Sequence, residues 1–251
     1  MNKFISKQSV ASWYALSALL ATFLVGQVIL WFFPDRSSMG ASLLFILMNL
    51  IPMIVAAVFS LVLSEVNSLG EFFKKVFLQK ESSLSWILAF FIPVIYYGIS
   101  ILLMNVRFTG NSLLAFFLYF PWTLLYGGLE EVGWRWFLQD HLSFSKHFIP
   151  KMMLLSIVWF LWHIPIYQLP WITAGSSNYL IFYLMILGNT FLFGALKEYS
   201  KGAVPCILAH MLIDSLAVLM LVQSSLPQII LLVSFEILVA SWLVAARKSE
   251  K

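Results

Sequence analysis

The sequence predicts an all-α, polytopic integral membrane protein of about eight transmembrane helices with both termini cytoplasmic, and three observations predict it. Of 251 residues, 61% are hydrophobic and 10% charged, where an ordinary soluble domain carries about 25% charged residues. A water-soluble globule is excluded. The apolar residues come in runs long enough to cross a bilayer, which takes about 20 residues, and Lys and Arg are shared unequally between alternate connections, the asymmetry that orients membrane proteins.

Apolar segments bounded by charges, Pro, Gly or Ser fall at about 11–33, 41–63, 84–104, 112–138, 152–168, 179–196, 203–222 and 227–245. The first follows a basic start, as a signal peptide does. It is too long for one and lacks a small-residue cleavage site, so it reads as an uncleaved span. The fifth and sixth are short for a span. No soluble domain fits between the segments, and the chain reads as one membrane domain, 1–251. The longest connection, Ser64 to Ser83, mixes Leu69, Phe72, Phe73, Val76 and Phe77 with Lys74, Lys75 and Lys80. It reads either as an amphipathic helix on an anionic leaflet or as a solvated loop.

The net charge of +4 does not point to nucleic acid, because the cations are strung along the chain. Counted by alternate connections, one side holds Lys3, Lys7, Lys74, Lys75, Lys80, Lys146, Lys151, Lys197, Lys201, Arg247, Lys248 and Lys251, and the other Arg36 and Arg107. That count puts the termini in the cytoplasm and favours an even number of spans.

Inside the apolar segments remain Glu130, Glu131, Arg135, His163, His210, Asp214 and Glu236. An ionisable side chain in hydrocarbon costs at least about 2.5–3.5 kcal/mol on insertion scales, so these are candidates for a site or for pairing within the bundle. Glu131 and Arg135, four apart on a helix, are set to pair, and Glu130 points about 100° away. His210 and Asp214 share a face. Counted from the basic ends of their helices, Glu130, His163 and His210 lie at a common depth, on the order of 10–17 Å, so three spans bring polar groups to one level of a cavity that would open toward the cytoplasm.

Carboxylates in apolar cavities become usable bases for water. In that role Glu130 is the general base, His163 holds the same water, and His210 donates to the oxyanion of a tetrahedral intermediate. Glu131 and Arg135 then fix the helix. No cofactor is needed. Glu130, His163 and His210 also make a conceivable zinc set, although the H-E-x-x-H signature is missing. Cys206, the single cysteine, excludes an intramolecular disulfide, and in apolar surroundings it is an inert thiol.

The ordered set Glu-Glu-x-x-x-Arg, aromatic-x-x-x-His and His-x-x-x-Asp, here Glu130, Glu131, Arg135, Trp159, His163, His210 and Asp214, resembles the CAAX protease and bacteriocin-processing family of intramembrane endopeptidases. The resemblance covers roughly 113–222, the family-like catalytic core. It implies an all-helical bundle of about eight spans that cleaves a peptide or protein substrate, prenylated or of bacteriocin type, in a bacterial cell membrane. It also implies water attack driven by Glu130 and His163, with His210 and Asp214 near the oxyanion. A metal-dependent version stays open.

Three positions depart from the family pattern. Trp159 stands where Phe is usual, and its packing role is expected to survive. Trp136 follows the motif arginine in place of Gly. Asp214 replaces Asn and, ionised, cannot donate a hydrogen bond to an oxyanion, so it is either protonated or orients His210. Two other classes are a non-catalytic immunity protein that binds a peptide in the same cavity and a transporter, whose inverted repeats are not visible. Glu236 lies outside the motifs, to be partnered inside the bundle or to line the substrate's route.

Overall fold

The computed structural model describes residues 6–33, 38–103, 105–172, 178–223 and 225–249; of the charges counted above, Lys3, Arg36 and Lys251 lie outside these. Serines start the first four helices. Ser6, Ser38, Ser68 and Ser82 each accept a hydrogen bond from the N–H three residues on, which satisfies a donor that the helix leaves open. They begin α1 (Lys7–Phe32), α2 (Met39–Val62), α3 (Leu69–Phe77) and α4 (Ser83–Leu102). A short strand β1 (Val106–Phe108) leads to α5 (Leu113–Thr123), two π-helical stretches, Leu124–Gly128 and Val132–Leu138, and a closing turn α6 (Gln139–His141). Then come α7 (Phe148–Tyr167), α8 (Tyr179–Tyr199) capped by Asn178, α9 (Val204–Leu216), strand β2 (Met220–Val222) and α10 (Leu226–Ser249).

The all-α membrane architecture agrees with the sequence reading, and its details differ. Helices α1, α2, α4, α7, α8 and α10 are each long and apolar enough to cross a membrane; α5 to α6 makes a seventh candidate bent by 45°, and α9 is apolar but shorter. The segments expected to be short, around 152–168 and 179–196, extend to 20 and 21 residues. The segment 203–222 instead gives a helix of 13 residues and then β2. That strand pairs antiparallel with β1, Arg107 opposite Leu221, and so ties the α4–α5 connection to the α9–α10 connection.

Large apolar side chains point outward along the long helices, among them Leu24, Phe90, Leu118, Leu161, Leu231 and Leu238. In water such a surface would be an aggregation liability; facing lipid it costs nothing. Inside, Tyr14 is fully buried and donates its hydroxyl to the Pro52 carbonyl at 3.0 Å, and its ring packs on Phe137 at 4.8 Å. Of the two readings of Ser64–Ser83, the amphipathic helix forms. Within α3, Phe72 and Val76 are buried while Leu69 and Phe73 are exposed. Trp136, the departure from Gly, meets Phe72 edge to face at 5.4 Å and docks α3 on the bundle.

The two ends of the bundle differ. At one, Lys75 bonds the Glu65 carbonyl, His141 meets Glu65 at 2.8 Å, Lys197 meets Asp140 at 3.0 Å, and Glu81 accepts from the N–H groups of Lys201 and Gly202. The other end carries the β1–β2 ribbon, Tyr167 and Asn178, and Arg107 is its only cation among the described residues.

Candidate active site

The two π-helical stretches place the glutamates. They flank residues 129–131, so the helix is wound wide on both sides of Glu130 and Glu131, a local irregularity common at functional sites. Gly127 and Gly128 let this helix approach α9 closely. A side chain at Gly127 would run into the Asp214 carboxylate and come within 3.0 Å of His210 Nε2, and one at Gly128 would meet Met211 at 2.9 Å.

Glu130 is 2% exposed. Its Oε2 accepts from two indoles, Trp159 Nε1 at 3.0 Å and Trp134 Nε1 at 3.3 Å; Oε1 accepts no hydrogen bond among the described residues. Trp159 is the hub of the site. Its ring centroid lies 5.5 Å from that of His163 and 5.6 Å from that of His210, so the three residues expected at one depth surround a single indole. The expectation for Trp159 was packing, and the structure adds an N–H donor that Phe would lack. The second donor, Trp134, was not singled out in the sequence, where its four-residue spacing from Glu130 was the available signal.

His163 Nδ1 lies 2.8 Å from the main-chain carbonyl of Trp159. A carbonyl only accepts, so Nδ1 carries the hydrogen, and on the neutral ring Nε2 is left as an acceptor. His210 sits between two carboxylates, with Nδ1 2.9 Å from Glu131 Oε1 and Nε2 3.6 Å from Asp214 Oδ2. Glu131 thus does more than its expected pairing with Arg135, which also forms, at 2.9 Å with both side chains fully buried. The Arg135 guanidinium stacks over the Trp159 ring at 4.8 Å and the Phe193 ring at 5.6 Å.

A cavity of about 800 Å³ adjoins these groups. Its floor is Trp159, His163, Phe193 and His210, its wall includes Tyr97, Asn189 and Asp214, and its mouth is Arg107, Asn178, Gln223 and Ser225. The sequence reading placed the opening at the end rich in lysine, and the cavity corrects that: it runs from mid-bundle to the end that carries Arg107. Toward the basic end Glu131, Trp134, Arg135, Phe137 and Leu138 are at most 1% exposed and fill the space. Depth counted along a helix does not reveal which side of a group is plugged.

Glu236 does not line this cavity. It is fully buried between α10 and α8, packed against Gly188, and neither carboxylate oxygen has a hydrogen-bond partner among the described residues. Cys206 is buried, its Sγ 3.7 Å from the Phe193 carbonyl. For the zinc reading, Glu130 Oε2 is taken by two N–H groups while Oε1 is open, and among the described residues no three His, Cys, Asp or Glu side chains are grouped to hold a metal ion.

No curated protein matches the chain. The family model described as type II CAAX prenyl endopeptidase, Rce1-like, matches residues 111–216, which run from the start of α5 to the end of α9 and hold every residue of the three motifs. Over that stretch the chain is similar to the CAAX protease family of membrane endopeptidases, and its long apolar helices are those of a multi-pass membrane protein.

Proposed function

We propose that the chain is an intramembrane endopeptidase in which Glu130 and His163 activate water against a peptide bond held in the cavity above His210. The observation that carries this is the sharing of one indole: Trp159 binds Glu130 through Nε1 and flanks both imidazoles. With Oε2 fixed by two indoles, Oε1 of Glu130 is the oxygen free to take a proton, and His163 Nε2 accepts the water's second hydrogen. That leaves a lone pair of the water for the scissile carbonyl carbon.

The new C–O bond turns the carbonyl oxygen into an oxyanion. Nε2 of His210, when protonated, donates to it, with Nδ1 braced on Glu131. Collapse breaks the C–N bond, and the proton collected by Glu130 passes to the leaving nitrogen. The products are a carboxylate and an amine. Asp214 acts through His210 in this reading, since an ionised carboxylate offers the oxyanion no donor. Arg135 and Glu131 hold the floor rigid. No step uses a metal, and no substrate beyond a peptide or protein in a membrane is assigned.

The test is Glu130→Gln. The isostere keeps its place beside both indoles, and cleavage should fall by at least a thousandfold with insertion and melting unchanged. The readout is the set of protein termini that vanish from cells carrying the variant. Undiminished cleavage would end the assignment, and protection against a peptide toxin that persists in Glu130 and His163 variants would favour the immunity-protein reading instead.

A further inference from the structure

Two independent observations bear on which side of the membrane the peptide comes from. The first is the shape of the cavity. Its mouth residues, Arg107, Asn178, Gln223 and Ser225, belong to the α4–α5, α7–α8 and α9–α10 connections, all at one end. The opposite end is packed solid beneath Glu130, and beyond the packing Gln139 donates to the Gly194 carbonyl at 3.0 Å while Lys197 meets Asp140. The second large cavity, about 920 Å³, is lined by apolar side chains of α2, α3, α4, α5 and α9 and contains none of Glu130, His163, His210 or Asp214. It offers no polar route to them.

The second observation is charge. Lys74, Lys75, Lys146, Lys151, Lys201 and Lys248 sit on connections and termini at the packed end, whereas Arg107 stands alone at the mouth end among the described residues. Lys and Arg accumulate on the cytoplasmic side of membrane proteins, so the packed end faces the cytoplasm.

We infer that the peptide reaches the site from the non-cytoplasmic face, as an exported peptide or the outer segment of a membrane protein, and that Arg107 at the mouth receives a carboxylate of that peptide. This rests on the endopeptidase reading for what happens at the floor, not for the direction of access. Arg107 suits the task. It is the only formal cation lining the cavity, and it makes no ion pair among the described residues. The β1–β2 pairing opposite Leu221 fixes its backbone. Tyr97, Asn189 and Gln223 supply polar groups along the way, and the Asn189 Oδ1 has no hydrogen-bond partner among the described residues, which suits a peptide main chain whose N–H groups must be satisfied. The carboxylate is either a C-terminus or an Asp or Glu side chain.

Access is tested without any need for cleavage. Gln223→Cys at the mouth and Lys201→Cys at the packed end are labelled with a membrane-impermeant maleimide on intact cells and on inside-out vesicles. Cys206 is buried and stays silent. Gln223→Cys should label on intact cells and Lys201→Cys only on inside-out vesicles; the reverse pattern overturns the inference, and Glu130→Gln in the background must not change it. A failed Glu130→Gln cleavage test with correct labelling would sink the enzyme but not the direction of access. For Arg107, three pools of fluorogenic octapeptides are compared on the purified protein: free C-terminus without Asp or Glu, amidated with Asp and Glu, and amidated without either. Arg107→Ala should raise KM about fivefold, the worth of one partly exposed ion pair, on whichever carboxylate-bearing pool is preferred, and leave the uncharged pool unchanged. An equal loss on all three pools, or an effect seen only with anionic phosphatidylglycerol vesicles, would assign Arg107 to the fold or to lipid headgroups and overturn its role.

Discussion

The Trp159 indole donates to Glu130 at 3.0 Å while the main-chain carbonyl of the same residue accepts from His163 at 2.8 Å, so one residue aligns both groups assigned to the water. Replacing it with Phe keeps the ring and deletes the donor. Hydrogen bonds to charged groups contribute about 1.5–3 kcal/mol, and Trp134 still holds Glu130. Trp159→Phe should therefore lower kcat by about tenfold with little change in KM, measured on a mapped peptide; an unaltered kcat would show that the indole only packs.

Glu130 and Glu131 are neighbours in sequence with different work. Glu131 braces His210 and neutralises Arg135, both buried. Glu131→Gln leaves a guanidinium in the core short of its partner, which destabilises by about 3–5 kcal/mol. Thermal unfolding in detergent should show a large drop for Glu131→Gln and almost none for Glu130→Gln. Equal melting points for the two would remove the structural distinction between them.

Gly127 sets how closely the bent helix meets α9. A methyl group there presses on Asp214 and His210 Nε2, whereas one at Gly128 meets Met211 Cγ at 2.9 Å and Ile207 Cγ2 at 3.1 Å, apolar neighbours outside the candidate site. Gly127→Ala should abolish cleavage in a protein that still inserts, and Gly128→Ala should keep at least a tenth of it. The comparison is made by single-turnover hydrolysis at matched expression.

Glu236 is a carboxyl group buried without a hydrogen-bond partner among the described residues. Exchange for a side chain of similar length and no polarity removes a desolvation cost on the order of 1–3 kcal/mol. Glu236→Met should raise the melting temperature and leave cleavage intact. A fall in cleavage with the fold kept would instead give Glu236 a functional part.

Much of the site was legible in the sequence because charge inside hydrocarbon is conspicuous. Glu130, His163 and His210 were picked by type and depth, and the structure sets all three against the Trp159 indole. The direction of the opening was not legible, because it depends on which of two apolar ends packs tightly, and Phe137 or Leu138 looks the same in sequence whether it plugs a bundle or faces lipid. The bond from Glu131 to His210 was not legible because it joins two helices 79 residues apart in the chain, and no spacing rule reaches that far. The shortness of α9 was hidden too, since Met220 to Val222 are as apolar as any helix and are drawn into a strand only by Val106 to Phe108 more than a hundred residues earlier.

Trp134, Arg135 and Phe137 are buried behind the cavity floor, which makes the chamber a cul-de-sac toward that end. If the proposed cleavage takes place there, the fragments of a cut chain would leave past the ribbon by which the intact one arrived, and spent peptide would compete with fresh peptide for one doorway.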